Sequence, residues 1–254
     1  MGLASVLGMS VRLAAVGDLH FSRNSPGTFQ KLFAEIVSIA DVLLVPGDLT
    51  DYGLADEARA LAREVSQTAK IPIVTVLGNH DYESGHATEV TEILREAGII
   101  VLDGDAYEIH GIGIAGAKGF CGGFGRHTLG SWGEPIIKSF VQEGLAEALK
   151  LETALARLRT PTKIALVHYA PIQDTVVGEP EAIFPFLGTS RLEEPINRMN
   201  ATMAFHGHAH RGQPEGRTSI GIPVYNVSYP LLLRLHPERP YRIVEVPGTL
   251  GANP

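Results

Sequence analysis

The sequence has a single cysteine, Cys121, among its 254 residues. One cysteine excludes an internal disulfide and a structural zinc site built on several thiolates. It fits a reducing compartment, so we expect a cytoplasmic protein. No apolar run is long enough to cross a bilayer, and the amino terminus lacks the basic start and the small-residue cleavage site of a signal peptide. We therefore expect no membrane partner.

Basic residues are also scarce: 21 Lys and Arg stand against 28 Asp and Glu, a formal net charge of −7. They form no basic cluster, which argues against long nucleic acid as a partner and leaves small phosphorylated substrates open. Hydrophobic residues make up 44% of the chain, enough for a substantial core. Repeats, low-complexity tracts and linkers are lacking, so we predict one domain over residues 1–254, with residues 1–10 as a frayed extension. The oligomeric state is left open.

Short apolar segments rich in β-branched residues alternate with helix-period segments through the first hundred residues. This pattern predicts βαβ units around a mainly parallel sheet. The predicted strands lie at 11–18, 41–48 and 71–81, and the predicted helices at about 28–40, 54–69 and 86–97.

From residue 98 onward, strand follows strand, which predicts a second, more antiparallel sheet. Further strands are predicted at 162–171 and 201–210, with helices at about 135–158 and 191–199. Two strand-like segments, SIGIPVYNVSY and YRIVEVP, close the chain.

Five predicted strands run into short polar clusters: GDLH, GDLTD, GNHD, HYAP and HGHAH. Because the carboxyl ends of strands line the ligand crevice of open α/β sheets, we expect these clusters to meet at one edge. Each cluster alone also fits a helix cap, a turn or a core histidine. Five of them at strand ends favour a functional site.

The clusters hold seven candidate metal donors, more than one transition metal needs. Two ions bridged by a shared Asp account for the number. Mixed nitrogen and oxygen donors suit Mn, Fe, Zn, Ni or Co better than calcium. The candidates are Asp18, His20, Asp48, Asn79, His168, His208 and His210.

With these residues identified, the chain resembles the calcineurin-like metallophosphoesterases, whose ordered pattern is D-x-H, G-D-x-x-D, G-N-H-[DE], a lone His and G-H-x-H. All five motifs are present between Asp18 and His210. The resemblance implies an α/β fold, a four-layer αββα sandwich of two mixed sheets flanked by helices, with a dinuclear centre between the sheets.

The resemblance also implies a role for each matching residue. Asp18, His20 and His210 would bind one divalent or trivalent ion, Asn79, His168 and His208 would bind the other, and Asp48 would bridge them. Two cations about 3.5 to 4 Å apart can hold a bridging hydroxide that attacks the phosphoryl group in line.

The remaining motif residues have supporting roles in this interpretation. His80 would be the general acid for the leaving group, and Asp81 would orient its imidazole. Asp51 is expected to hydrogen-bond nearby rather than to bind metal. His206 lies outside G-H-x-H and is expected to be structural.

The substrate class rests on departures from the family's protein phosphatases, which usually carry Arg after the second motif and before G-N-H-E. Tyr52 and Leu77 occupy those positions here, and Asp81 replaces Glu. Without those arginines, the protein lacks its main contacts with the dianion of a monoester. A diester carries one negative charge fewer and needs fewer such contacts.

We therefore expect a small phosphodiesterase, resembling bacterial enzymes that act on cyclic nucleotides. The alternatives are a broad phosphomonoesterase, a small nuclease, or a metal-binding scaffold without catalysis.

Two loops are candidates for walls of the site. Residues 119–134 form a glycine-rich loop with Phe120, Phe124 and Trp132, for which two interpretations stay open: a substrate cap, or, as we prefer, aromatic side chains that pin the loop to the core. Residues 180–188 form the second loop.

Overall fold

The structure is a computed structural model that describes residues 9–68 and 70–248. The described strands are β1 (Met9–Ala15), β2 (Val42–Pro46), β3 (Ile73–Val76), β4 (Ile100–Val101), β5 (Asp105–Ile109), β6 (Ile112–Gly116), β7 (Thr162–Leu166), β8 (Met203–His206), β9 (Glu215–Arg217), β10 (Pro223–Asn226) and β11 (Arg242–Gly248). The described helices are α1 (Gln30–Ile39), α2 (Ala55–Thr68), α3 (Ala87–Glu96), α4 (Pro135–Arg157), α5 (Phe184–Leu187), α6 (Glu193–Arg198) and α7 (Tyr229–Leu235).

The strands form two mixed sheets, as predicted. The first has the order β11-β1-β2-β3-β4 and is parallel except for β11. The second has the order β5-β6-β7-β8-β10-β9. Its four central strands are parallel and only the two edge strands are antiparallel, so the second sheet is less antiparallel than expected.

Alternate residues along each strand point to opposite faces, and this separates the core into layers. In β1, Leu13 packs into the cluster between the two sheets, whereas Ala14 packs against the helices outside the first sheet. In β7, Leu166 lies between the sheets and Ala165 faces the helices outside the second. The molecule is therefore the predicted four-layer αββα sandwich.

Element boundaries depart from the predictions at several ends. Met9 and Ser10 belong to β1, which corrects the frayed extension predicted over residues 1–10; residues 1–8 lie outside the described part. The loop predicted at residues 180–188 contains a 3-10 turn and α5. Within the described ranges, no helix combines the length and apolarity needed to span a bilayer.

Candidate metal centre

The predicted donors converge on one edge of the sandwich because neighbouring parallel strands end there. Asp18 follows β1 and Asp48 follows β2 in the first sheet, while His168 and His208 each stand two residues after β7 and β8 in the second. The backbone is left-handed at Asp18, His20, Asp48 and His208, with φ between 44° and 69°. Strained backbone of this kind concentrates at functional sites, where it aims side chains that regular strands would direct elsewhere.

Glycines in the motifs make room for these carboxylates. A Cβ added to Gly78 would collide with Asp48 Oδ1, and one added to Gly207 would collide with Asp18 Oδ2. The glycines of GNHD and GHAH are thus required by close packing of backbone against the predicted ligands.

Asp18, His20 and His210 form the first donor group, with one donor atom of each within 4.8 Å of the others. His210 Nε2 lies 3.0 Å from Asp18 Oδ1, and the His208 backbone N–H also donates to this carboxylate. Burial opposes ionisation of Asp18, but the His210 hydrogen bond and the surrounding imidazoles outweigh it and lower the pKa to about 2. The site thus favours an anionic donor beside cations.

Asp48, His168 and His208 form the second donor group. His168 Nδ1 donates to the Pro46 carbonyl at 3.0 Å, so the lone pair of the neutral ring is on Nε2. That lone pair faces two oxygens of described residues: Asn79 Oδ1 at 2.9 Å and Asp48 Oδ2 at 3.4 Å. Acceptors that face one another are the arrangement a cation stabilises.

His208 has its own orienting partner. Its Nε2 lies 3.2 Å from the Phe186 carbonyl of α5, which places the proton on Nε2 and leaves Nδ1 as the donor atom. The segment at residues 180–188 thus reaches the site through a metal-ligand candidate, consistent with the wall expected from the sequence.

Asp48 lies between the two groups. Its Oδ2 faces His20 Nε2 at 3.8 Å and His168 Nε2 at 3.4 Å, while Oδ1 accepts the His80 backbone N–H. His20 Nε2 is buried and has no hydrogen-bond partner among the described residues. Burial, then the negative charges of Asp18 and Asp81, raise the pKa of Asp48 well above its usual range. An orphaned imidazole and an electrostatically crowded carboxylate fit the predicted pair of cations.

His80 borders the centre, and its ring packs edge-on against His20 at a centroid distance of 4.5 Å. Its Nδ1 lies 2.7 Å from the Asp51 backbone carbonyl, which places the proton on Nδ1. The prediction that Asp81 directly orients this imidazole is wrong. The acceptor is a main-chain oxygen, which sequence motifs do not reveal.

The Asp81 carboxylate instead holds together two loops beneath the centre. Its oxygens accept hydrogen bonds from the Gly78, Thr50 and Leu49 backbone N–H groups and from the Thr50 hydroxyl. Because Asp51 follows Thr50 directly, Asp81 supports the turn that carries the carbonyl bonded to His80. Its effect on His80 is therefore indirect.

His206 has the structural role expected from the sequence. Its ring is buried, with Nε2 at 2.8 Å from the Thr175 hydroxyl and Nδ1 at 2.7 Å from the Gly207 carbonyl. Burial lowers the pKa of His206 to about 4, so the ring is neutral at neutral pH. Asp51 lies beside a candidate ligand, as expected, with a carboxylate oxygen 3.6 Å from His20 Nδ1; His20, Asp51 and His80 also form a third group of possible metal donors.

The glycine-rich loop is only partly pinned by its aromatic side chains. Phe124 is buried and Phe120 packs on the core, but Trp132 is 63% exposed. The preferred interpretation is therefore confirmed for Phe120 and Phe124 and wrong for Trp132.

Tyr169 was missed by the motif analysis because it carries no metal donor. Its ring lies beside His208 at a centroid distance of 4.6 Å and beside His168 at 5.4 Å. Its position directly after His168 was the available signal.

Comparisons with known proteins identify the family and the fold. Residues 11–212 match the family model described as calcineurin-like phosphoesterase. The fold is similar to phosphopantetheinyl hydrolase from Mycobacterium tuberculosis, at 15% identity and a TM-score of 0.66 over 98% of this chain and 100% of that one. The protein TT1561 of Thermus thermophilus is 17% identical, with a TM-score of 0.61 over 94% of this chain and 99% of that one.

A further similar structure is GAP50, named as the anchor in the inner membrane complex of Plasmodium; it is 11% identical, with a TM-score of 0.53 over 87% of this chain and 72% of that one. A search of curated proteins found no match. The solved structures share the fold, while the family match spans most of the sequence. The chain belongs to the calcineurin-like phosphoesterase family and is a metal-dependent phosphoesterase.

Proposed function

We propose that the protein is a phosphodiesterase that hydrolyses a small, cyclic-nucleotide-like phosphodiester at a dinuclear centre. The convergence of candidate donors supports the metal centre, and the observation that carries the diester preference is the chemistry of the rim. Leu77 is buried and Tyr52 is 54% exposed, so neither position offers a guanidinium to a monoester dianion. A diester with one charge needs less compensation from the protein.

When bound, two transition metal ions would supply Lewis-acid stabilisation of the phosphoryl oxygens and lower the pKa of an attacking water. The protein itself positions the proton that the leaving oxygen needs. His80 carries a proton on Nδ1, fixed by the Asp51 carbonyl, and its partly exposed ring can present Nε2–H to a leaving oxygen. In this proposal His80 is the general acid, and Asp81 has a positioning role.

The proposal also covers the cellular location of the protein and its binding partners. The single cysteine and the net charge of −7 support a cytoplasmic enzyme with a small phosphoester substrate and no nucleic-acid polymer as partner.

The test is hydrolysis by protein stripped with chelator and reloaded with Mn, against bis(p-nitrophenyl) phosphate and p-nitrophenyl phosphate. The two esters release the same chromophore. We expect diester turnover that Asn79→Ala abolishes and that His86→Ala leaves intact, because the His86 side chain is 62% exposed and lies outside the centre.

Other results separate the alternatives. Preference for the monoester would replace this proposal with a phosphomonoesterase, and metal binding without turnover of either ester would replace it with a scaffold. After diester turnover, cyclic nucleotides and a phosphopantetheinyl compound form the substrate screen, the latter because of the name of the similar Mycobacterium tuberculosis protein.

A further inference from the structure

Lys118 occupies the same place after its strand as two predicted metal ligands. It stands two residues after the end of β6, as His168 stands after β7 and His208 after β8. β6, β7 and β8 are parallel neighbours in the second sheet. The strand ends that deliver two imidazoles to the centre therefore deliver an ammonium group beside them.

The Lys118 side chain is half-buried and forms no ion pair with any residue that the structure describes. Its Nζ lies 4.9 Å from the centroid of the Phe120 ring, 5.5 Å from that of Tyr169 and 5.6 Å from that of Tyr82. It donates to the Gly119 carbonyl at 2.7 Å. In the described part of the chain, no carboxylate oxygen lies within 4.0 Å of it.

Two of the three neighbouring acidic groups are already paired, and the third, Glu143, is exposed and lies more than 4.0 Å from the ammonium. Lys150 forms 2.8 Å ion pairs with Asp103 and with Glu147, and Glu147 also accepts the Gly119 backbone N–H. Burial lowers the pKa of Lys118, and the longer-range charges of Glu147, Glu143 and Asp103 oppose it. A half-buried ammonium without its own counterion is costly unless a ligand provides one.

The position is coupled to the metal centre and opens onto a cavity. The Lys118 carbonyl accepts the His168 backbone N–H at 2.9 Å, and the Tyr169 ring contacts both the Lys118 ammonium and His208. Lys118 and Tyr82 also line a cavity of about 260 Å³ that extends to Thr88 of α3, and its other charged lining residues are Arg95, Glu92 and Asp103.

We propose that Lys118 is a specificity-determining residue that binds a second phosphate group of the substrate. The proposal rests on the phosphodiesterase function: the scissile diester occupies the metal centre, and the remote phosphate forms a charge-assisted hydrogen bond with Lys118. The lack of arginine at positions 52 and 77 favours a diester at the metal centre. Lys118 favours an additional phosphate on the same substrate.

The experiment compares thymidine 5′-(p-nitrophenyl phosphate) with its 3′-phosphorylated form, using the Mn-loaded full chain. These diesters differ only in the remote phosphate. We expect the wild-type kcat/KM to be about 10- to 100-fold higher for the phosphorylated substrate. Lys118→Met should remove that preference without changing turnover of the plain diester, and Lys118→Arg should restore part of it. Lys138→Met, at an exposed position, is the matched control.

Calorimetry separates this proposal from the function on which it rests. Thymidine 3′,5′-bisphosphate should bind the wild type more tightly than thymidine 5′-monophosphate, and Lys118→Met should make the two equal. That result without diester turnover would reject the phosphodiesterase and keep the subsite. Diester turnover with no effect of the remote phosphate, or an equal fall on both substrates in Lys118→Met, would reject the subsite.

Discussion

Asp48 and Asp81 are both buried carboxylates that lie close together near strand ends, yet their surroundings are opposite. Asp48 Oδ2 faces the imidazole nitrogens of His20 and His168, neither of which offers it a proton at hydrogen-bond distance. Both Asp81 oxygens are filled by backbone and hydroxyl donors. Burial raises the pKa of both carboxyls.

The difference shows that burial and motif position do not by themselves identify a ligand. A carboxylate that is saturated by protein donors holds the chain together, whereas one that faces other lone pairs needs a cation from outside. The same chemical change, carboxylate to amide, should therefore have opposite effects on the stability of the metal-free protein at the two positions.

The largest effect should come from Asp48→Asn. If Asp48 is the anionic donor shared by two ions, as proposed, its loss should lower diester turnover by more than about 100-fold, beyond the range typical of residues outside the metal shell. The metal-free variant should nevertheless melt at a higher temperature than the wild type. The amide oxygen can keep the His80 N–H bond while its NH₂ donates toward the His20 and His168 lone pairs, and a buried charge is removed.

Activity assays and calorimetry of metal-free protein check both halves of this prediction, with metal content measured after reloading. A metal-free Asp48→Asn that melts below the wild type would show that the Asp48 charge stabilises the fold. Asp48 and Asp81 would then have the same effect on the stability of the metal-free protein.

Asp81→Asn should destabilise the fold by about 2 to 4 kcal/mol, because the new NH₂ group must face backbone N–H donors at Gly78 and Leu49 or at Thr50. That corresponds to a fall in Tm of roughly 5 to 15 °C for a chain of this size. Metal content should stay at the wild-type level. Thermal unfolding and metal analysis measure the two quantities, and loss of metal without loss of stability would make Asp81 a ligand rather than a support.

His80→Ala tests a residue that is linked to both carboxylates. Its backbone N–H binds Asp48, and its ring binds the Asp51 carbonyl in the turn that Asp81 supports. We expect about a 100-fold loss on an alkyl diester, whose leaving oxygen needs a proton, and less than about a 10-fold loss on a p-nitrophenyl diester. Metal content should be unchanged because the backbone N–H remains. Equal losses on both substrates, measured as kcat, would contradict the general-acid role.

The convergence of the candidate donors could be predicted because they follow strand ends, and strand ends are visible as apolar runs that stop at a polar residue, in most cases after Gly. Asp18, Asp48 and His168 are examples, and their convergence follows from parallel topology. The acceptor for His80 could not be predicted, since it is a main-chain carbonyl whose direction depends on the conformation of the turn after β2.

Lys118 shows a different limit. A lone lysine after GIGIAGA matches no motif, although its spacing from the strand end equals that of His168 and His208. What distinguishes it is the absence of an acidic partner among the described residues. This property depends on which side chains the fold brings together around Lys118. Likewise, the exposure of Trp132 depends on how the glycine-rich loop lies on the surface.

Thr50→Val should have the smallest effect and resolves how Asp81 acts. It removes only the hydroxyl donor at 2.6 Å and keeps the Thr50 backbone N–H at 2.8 Å, so we expect a loss of about 1 kcal/mol in unfolding free energy. Thr75→Val is the matched control, because its buried hydroxyl bonds to the Val45 and Val76 carbonyls rather than to a carboxylate. If Asp81 acts only by holding the turn, Thr50→Val should lower alkyl-diester turnover less than Asp81→Asn, and the turnover loss should follow the stability loss in both. A large turnover loss in Thr50→Val at nearly full stability would mean that small shifts of the Asp51 carbonyl misalign His80. The hydrogen bonds between Asp81 and Thr50 would then be needed for the catalytic orientation of His80 and not only for stability.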